Sequence, residues 1–183
     1  MVAFVASIWI VFLLEFIPPL NLVSYGVTPR TASGLIGIPA MPFLHANLRH
    51  ITSNTPPLIV LLVLLAGSKV NSWEIVIKVT LLGGALLWLF GRTGTHIGAS
   101  GLIFGLIAFL IVSGLLEKRV TPLLVAIIVG LLYGGSLLSG IVPRIASLNS
   151  WDGHLLGAIA GGLVAYQSTR TGPIAAARFR DRS

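Results

Sequence analysis

Ser100 stands in Gly98-Ala99-Ser100-Gly101, where a polar stretch, Gly91-Arg92-Thr93-Gly94-Thr95-His96, turns into an uncharged apolar run from Leu102 to Leu116. A hydroxyl flanked by glycines at a helix start can act as a nucleophile. Glycine lets backbone and substrate approach closely, and the free N–H groups of the first turn can hold a developing oxyanion. Small residues are also how apolar helices pack against one another, so the motif needs partners before it means chemistry.

Partners exist. Serine is a poor nucleophile until a base takes its proton, and the imidazole of His154 titrates in the range that makes it an effective base. His50 and Asn54 are four residues apart, a spacing that puts both on one helix face. With the Ser100 N–H they can form an oxyanion hole. Asp152 is two residues from His154, a spacing at which helical side chains diverge, so the expected machinery is a dyad without an acid. Gly157 and Gly161 form a G-x-x-x-G step that reads as packing, bringing the His154 segment against the Ser100 segment. His45 and His96 read as loop or interface residues.

The elements that must hold these groups are apolar. Of 183 residues 55% are hydrophobic and only 9% charged, with a mean hydropathy of +0.97. Soluble domains carry about 25% charged residues, so most of this chain faces lipid. The absence of cysteine excludes disulfides and thiolate chemistry. Six apolar runs are expected as helices: Val2–Ile17, Ile51–Ala66, Ile75–Phe90, Ala99–Leu116, Thr121–Leu138 and Asp152–Gln167. Several are shorter than the roughly 20 residues that cross a hydrocarbon core, which predicts short helices or helices extended by flanking residues. The first run lacks a basic segment before it and a small-residue cleavage site after it, and reads as a retained span. The Pro18–Arg49 segment is too apolar for a water-exposed linker and is expected as broken structure in the outer interface. Residues 1–169 form one six-span domain in this reading, and 170–183 a basic, disordered cytoplasmic tail.

The net charge of +7 reads as orientation rather than nucleic-acid binding. With the N-terminus inside, inner segments hold Lys69, Lys118, Arg119, Arg170, Arg178, Arg180 and Arg182, and outer segments hold Arg30, Arg49, Arg92 and Arg144. That excess puts both termini in the cytoplasm. The second, fourth and sixth runs then all begin at the outer face, which brings His50, Ser100 and His154 to matching depth in one leaflet. Ionisable groups at membrane depth are costly and point to function.

Three segments carry a family resemblance. His45-Ala46-Asn47-Leu48-Arg49-His50-Ile51-Thr52-Ser53-Asn54 is similar to the H-x4-H-x3-N segment of the rhomboid intramembrane serine proteases. Gly98-Ala99-Ser100-Gly101 resembles their G-x-S-G motif, and His154-Leu155-Leu156-Gly157-Ala158-Ile159-Ala160-Gly161 their H-x2-G-x3-G. The resemblance implies an all-α, six-span bundle, with Ser100 as nucleophile, His154 as general base, and His50 and Asn54 at the oxyanion. It also implies that Phe104 is the ring packed against the catalytic imidazole. Two features depart from the family pattern: Ile36-Gly37 stand roughly where a Trp-Arg pair is frequent, and no soluble N-terminal domain or seventh span is evident, which reads as a minimal six-span form.

The implied activity is serine-type endopeptidase cleavage of the transmembrane segments of other proteins, near the outer face of the cell membrane, with no metal or cofactor. The alternatives are a non-catalytic rhomboid-like protein that binds membrane helices, and a small transporter with His50 and His154 in a proton path. Gathering of the ionisable groups at one face weighs against the transporter.

Overall fold

The computed structural model describes residues 1–143 and 150–171, and these residues form helices and connecting turns. Among them seven helices follow in order: α1 (Val2–Leu14), the single turn α2 (Gly37–Ala40), α3 (Leu48–Ser68), α4 (Ser72–Phe90), α5 (Ser100–Glu117), α6 (Val120–Ile141) and α7 (Trp151–Thr171). All six expected runs are helical, most of them longer than the apolar run itself. Arg170, placed by sequence in the tail, lies in the last turn of α7 and stacks over Tyr166 at 5.0 Å. Residues 144–149, which include Arg144, and residues 172–183, which include Arg178, Arg180 and Arg182, lie outside the described residues.

Helices α3 to α6 are each long and apolar enough to cross a membrane. At 13 residues α1 is short. The 21-residue α7 carries more polar residues and glycines, and it is shielded by its neighbours rather than by its own hydropathy. The bundle is therefore an all-helical, polytopic membrane fold. Its centre is α5, 61% of whose apolar window is buried, against 11% for the peripheral α6.

Contact between α5 and α7 is backbone on backbone. A Cβ on Gly157 would overlap the Gly101 carbonyl oxygen, and one on Gly161 would overlap the carbonyl of Gly105. On the other side of α7, Gly83 of α4 lies in ordinary van der Waals range, its Cβ position 3.6 Å from the Gly157 Cα. In lipid, helix association gains little from apolar burial, so close approach of this kind is what holds helices together. At the end of the bundle opposite Ser100, the mostly buried side chains of Lys69 and Glu117 form an ion pair that ties the α3–α4 turn to the end of α5.

The segment from Glu15 to Asn47 is broken structure, as its prolines and glycines predict. It has 3-10 turns at Leu22–Tyr25, Ser33–Leu35 and Met41–Phe43, with α2 between the last two. Backbone groups are satisfied locally or against the bundle, as a water-poor environment requires. The Glu15 carboxylate accepts the Leu22 N–H at 2.8 Å. Arg30 donates to the Leu89 and Gly91 carbonyls at 3.2 and 2.8 Å, closing the C-terminal end of α4. Val27 and His96 exchange two backbone hydrogen bonds, 2.9 and 2.8 Å, which bind this segment to the loop leading into Ser100.

Adjacent glycines on α7 give a direct test of the packing. Gly161→Ala should lower thermal stability measurably and Gly161→Leu more so, with loss of any activity of the site above it. Gly162 has nothing within 4 Å of its Cβ position. Gly162→Ala should be neutral or stabilising by up to about 1 kcal/mol, the ordinary helix preference for alanine. Equal tolerance at both positions in a thermal unfolding assay would contradict the α5–α7 contact.

Candidate active site

Ser100 is the first residue of α5, so its N–H has no partner within the helix. The preceding loop is held in place by the Gly98 N–H, which donates to the Met41 carbonyl at 3.0 Å. Gly98 has φ +104°, a backbone conformation that favours glycine. It also leaves room for the His50 ring, since a Cβ at Gly98 would lie 2.5 Å from His50 Nε2. His50 therefore rests on the backbone just before Ser100.

His154 is fixed from two directions. Its ring stacks on Phe104 with centroids 4.1 Å apart and planes 5° from parallel. Its Nδ1 lies 3.1 Å from the Gly140 carbonyl. A carbonyl only accepts, so Nδ1 carries the proton and Nε2 presents a lone pair. Gly140 is in the last turn of α6, where carbonyls lack helical partners. A Cβ there would overlap the Phe104 ring, so Gly140, Phe104 and His154 form one packed unit.

Ser100 is one turn above Phe104 on the same face of α5, and the His154 ring lies against that face. No hydrogen bond joins Ser100 to His154 among the described residues; in unliganded sites such bonds are often long. Asn54 is buried on α3, and its Nδ2 donates to the His50 carbonyl at 2.8 Å. That uses one of two amide protons. His50, Asn54, Ser100, Phe104 and His154 thus lie at the same end of the bundle, with Gly98 and Gly101 beside the hydroxyl and Gly157 and Gly161 beneath it.

His45 and His96 occupy connecting segments, but both are buried, at 2% and 9% exposure. The reason is the Val27–His96 pairing, which folds the Glu15–Asn47 segment over the loop before α5. His45 meets the His50 ring edge-on at 4.9 Å, and neither of its ring nitrogens has a hydrogen-bond partner among the described residues. Sequence spacing gave no sign of the Gly140 carbonyl, because a backbone group has no letter of its own. Asp152 turns away from His154 towards Arg92. Among the described residues no three His, Cys, Asp or Glu side chains gather as a metal site.

The Rhomboid domain profile matches residues 32–170. An uncharacterized protein of Mycobacterium tuberculosis and one of Mycobacterium bovis are each 41% identical over 173 residues, covering 89% of this chain and 71% of the relative. An uncharacterized protein of Mycobacterium leprae is 39% identical over 173 residues, covering 89% of this chain and 68% of the relative. No solved structure matches the chain.

Burial, reinforced by the neighbouring His50, lowers the His45 pKa from 6.5 to about 4. The unfolded chain then binds more protons than the folded one between those values, so stability falls as pH drops from about 6.5 towards 4. His45 ring resonances should remain those of a neutral imidazole at about pH 5.5 in an NMR titration. Protonation with a midpoint near the ordinary histidine value of about 6.5 would show that the ring is solvated.

Proposed function

The chain belongs to the rhomboid family, and from that premise we propose that it is an active intramembrane serine endopeptidase whose nucleophile is Ser100 and whose general base is His154. The observation that carries this reading is the seating of His154: stacked on Phe104, itself one turn of α5 from Ser100, and bonded through Nδ1 to Gly140. A base oriented by a third group beside a nucleophile is the arrangement that acyl transfer needs. Here the third group is a backbone carbonyl in place of a carboxylate.

In the proposed reaction, His154 Nε2 takes the Ser100 proton as Oγ attacks the carbonyl carbon of the scissile peptide bond. The Ser100 N–H, His50 and the second Nδ2 proton of Asn54 receive the oxyanion. The intermediate collapses, the C–N bond breaks, and His154 gives its proton to the leaving amine. Water, deprotonated by the same nitrogen, then hydrolyses the acyl-enzyme and restores Ser100. The substrate is a transmembrane segment of another protein. A helix shields its own carbonyls, so segments with helix-destabilising residues are favoured. The distribution of Lys and Arg supports cytoplasmic termini and a site that opens to the outer face.

Reconstitution with a reporter protein carrying a Gly- and Pro-containing transmembrane segment tests this reading. Ser100→Ala and His154→Ala should each abolish cleavage, and the double variant should be no worse than either, because residues acting as one unit fail together. Asn54→Ala should retain measurable cleavage, reduced about 10²–10³-fold as for loss of one oxyanion donor. Unchanged cleavage by Ser100→Ala would overturn the assignment, and a folded wild-type protein that binds the reporter without cutting it would favour the helix-binding alternative.

A further inference from the structure

Asp152 is almost completely buried, at 4% exposure, in the first turn of the helix that carries His154, yet none of its hydrogen bonds goes to that imidazole. Its partners lie elsewhere. Oδ2 accepts the Arg92 backbone N–H at 2.9 Å. Oδ1 accepts the Ser150 hydroxyl at 3.0 Å and Arg92 Nη2 at 3.3 Å. Ser150 Oγ is in turn 2.7 Å from His96 Nδ1, while His96 Nε2 is 3.0 Å from the Arg92 carbonyl. The Ser150 carbonyl accepts the His154 N–H at 3.1 Å, so Ser150 also opens the turn on which the base sits.

These bonds tie the head of α7 to the α4–α5 loop, which also delivers Ser100. The nucleophile and base therefore share one anchor outside the α5–α7 glycine contact. We propose that Asp152 is a positioning residue: through Ser150, Arg92 and His96 it fixes the rotation and height of the first turn of α7, and so the aim of His154 Nε2 at Ser100. This inference rests on the reading of His154 as general base.

Donor and acceptor counting separates positioning from charge. With aspartate, Ser150 donates to Oδ1 and must accept from His96 Nδ1–H. Nε2 can donate to the Arg92 carbonyl at the same time only when the ring carries both protons. With asparagine in its place the chain can run the other way. The amide N–H donates to Ser150, Ser150 donates to Nδ1, and a singly protonated ring donates from Nε2 to Arg92. The amide oxygen still accepts the Arg92 N–H. The half-exposed Arg92 side chain loses the carboxylate but stays over the Trp151 ring, and His96 Nε2, 3.9 Å from Oδ2, loses the facing charge. The substitution Asp152→Asn would thus keep the clamp and discard the charge.

The test compares Asp152→Ala, Asp152→Asn, Ser150→Ala and His154→Ala in full-length, purified protein, with kcat, KM and the thermal midpoint measured for each on the cleaved reporter. Misplacement of a catalytic group by about 1 Å can cost about 10²-fold, so Asp152→Ala should lower kcat by about 10- to 100-fold with KM within about twofold of wild type. Asp152→Asn should restore kcat to within about fivefold of wild type, as the reversed hydrogen-bond chain allows. Ser150→Ala, which keeps the Asp152–Arg92 backbone bond, should lower kcat less than Asp152→Ala, and it carries the test if the latter does not fold. An unchanged kcat in the folded Asp152→Ala or Ser150→Ala variant overturns the inference. Equal loss in Asp152→Asn and Asp152→Ala also overturns it, in favour of a role for the negative charge. Activity in His154→Ala would instead overturn the reading of the base, leaving the two failures distinguishable.

Discussion

Two helix backbones touch with no side chain between them, and the rest of the site depends on that contact. Gly157 and Gly161 of α7 press on the carbonyls of Gly101 and Gly105 of α5. Within a bilayer, apolar side chains gain nothing from leaving lipid, so van der Waals contact at close range must hold the pair. A Cβ at Gly157 or Gly161 would overlap those carbonyls, so the α7 backbone that carries His154 could not approach α5 this closely. The same glycines that bind the bundle together therefore set the distance over which chemistry would occur.

Polarity is concentrated where it can be satisfied. One end of the bundle holds Ser100, His50, Asn54, His96, Asp152 and His154, and most of their polar atoms have named partners. Loop backbone there is paired with helix ends: Arg30 with the carbonyls of α4, Val27 with His96, Gly98 with Met41. Between Phe104 and Glu117, α5 is apolar apart from the buried Ser113, whose hydroxyl donates to the Leu110 carbonyl at 3.4 Å. This division makes a polar reaction compatible with a fold whose solvent is lipid, since irregular backbone at membrane depth is tolerated only when buried or facing water.

Much of this was legible in the sequence, because helices in lipid are written as long apolar runs and close packing as spaced glycines. The segments of His50, Ser100 and His154 could be placed at one end by parity alone. What could not be read were contacts made by backbone groups and by residues far apart in the chain. The Gly140 carbonyl that orients His154 is invisible to any residue pattern. Arg30, at φ 59°, caps α4 across 59 to 61 residues of chain. The burial of His45 and His96 follows from one pairing across the loops that local hydrophobicity does not announce. Asp152 was correctly separated from His154 by spacing, but its true partner, Arg92, lies 60 residues earlier.

The central claim is that Ser100 has been made nucleophilic by its surroundings, and covalent labelling tests it most directly. The detergent-solubilised protein would be treated with a fluorophosphonate at neutral pH, digested, and mapped by mass spectrometry for the modified serine. The account predicts one phosphonylated residue, Ser100, in the native protein, and loss of the adduct on prior unfolding or in His154→Ala. An adduct on a different serine, or equal labelling of Ser100 with and without His154, would contradict it.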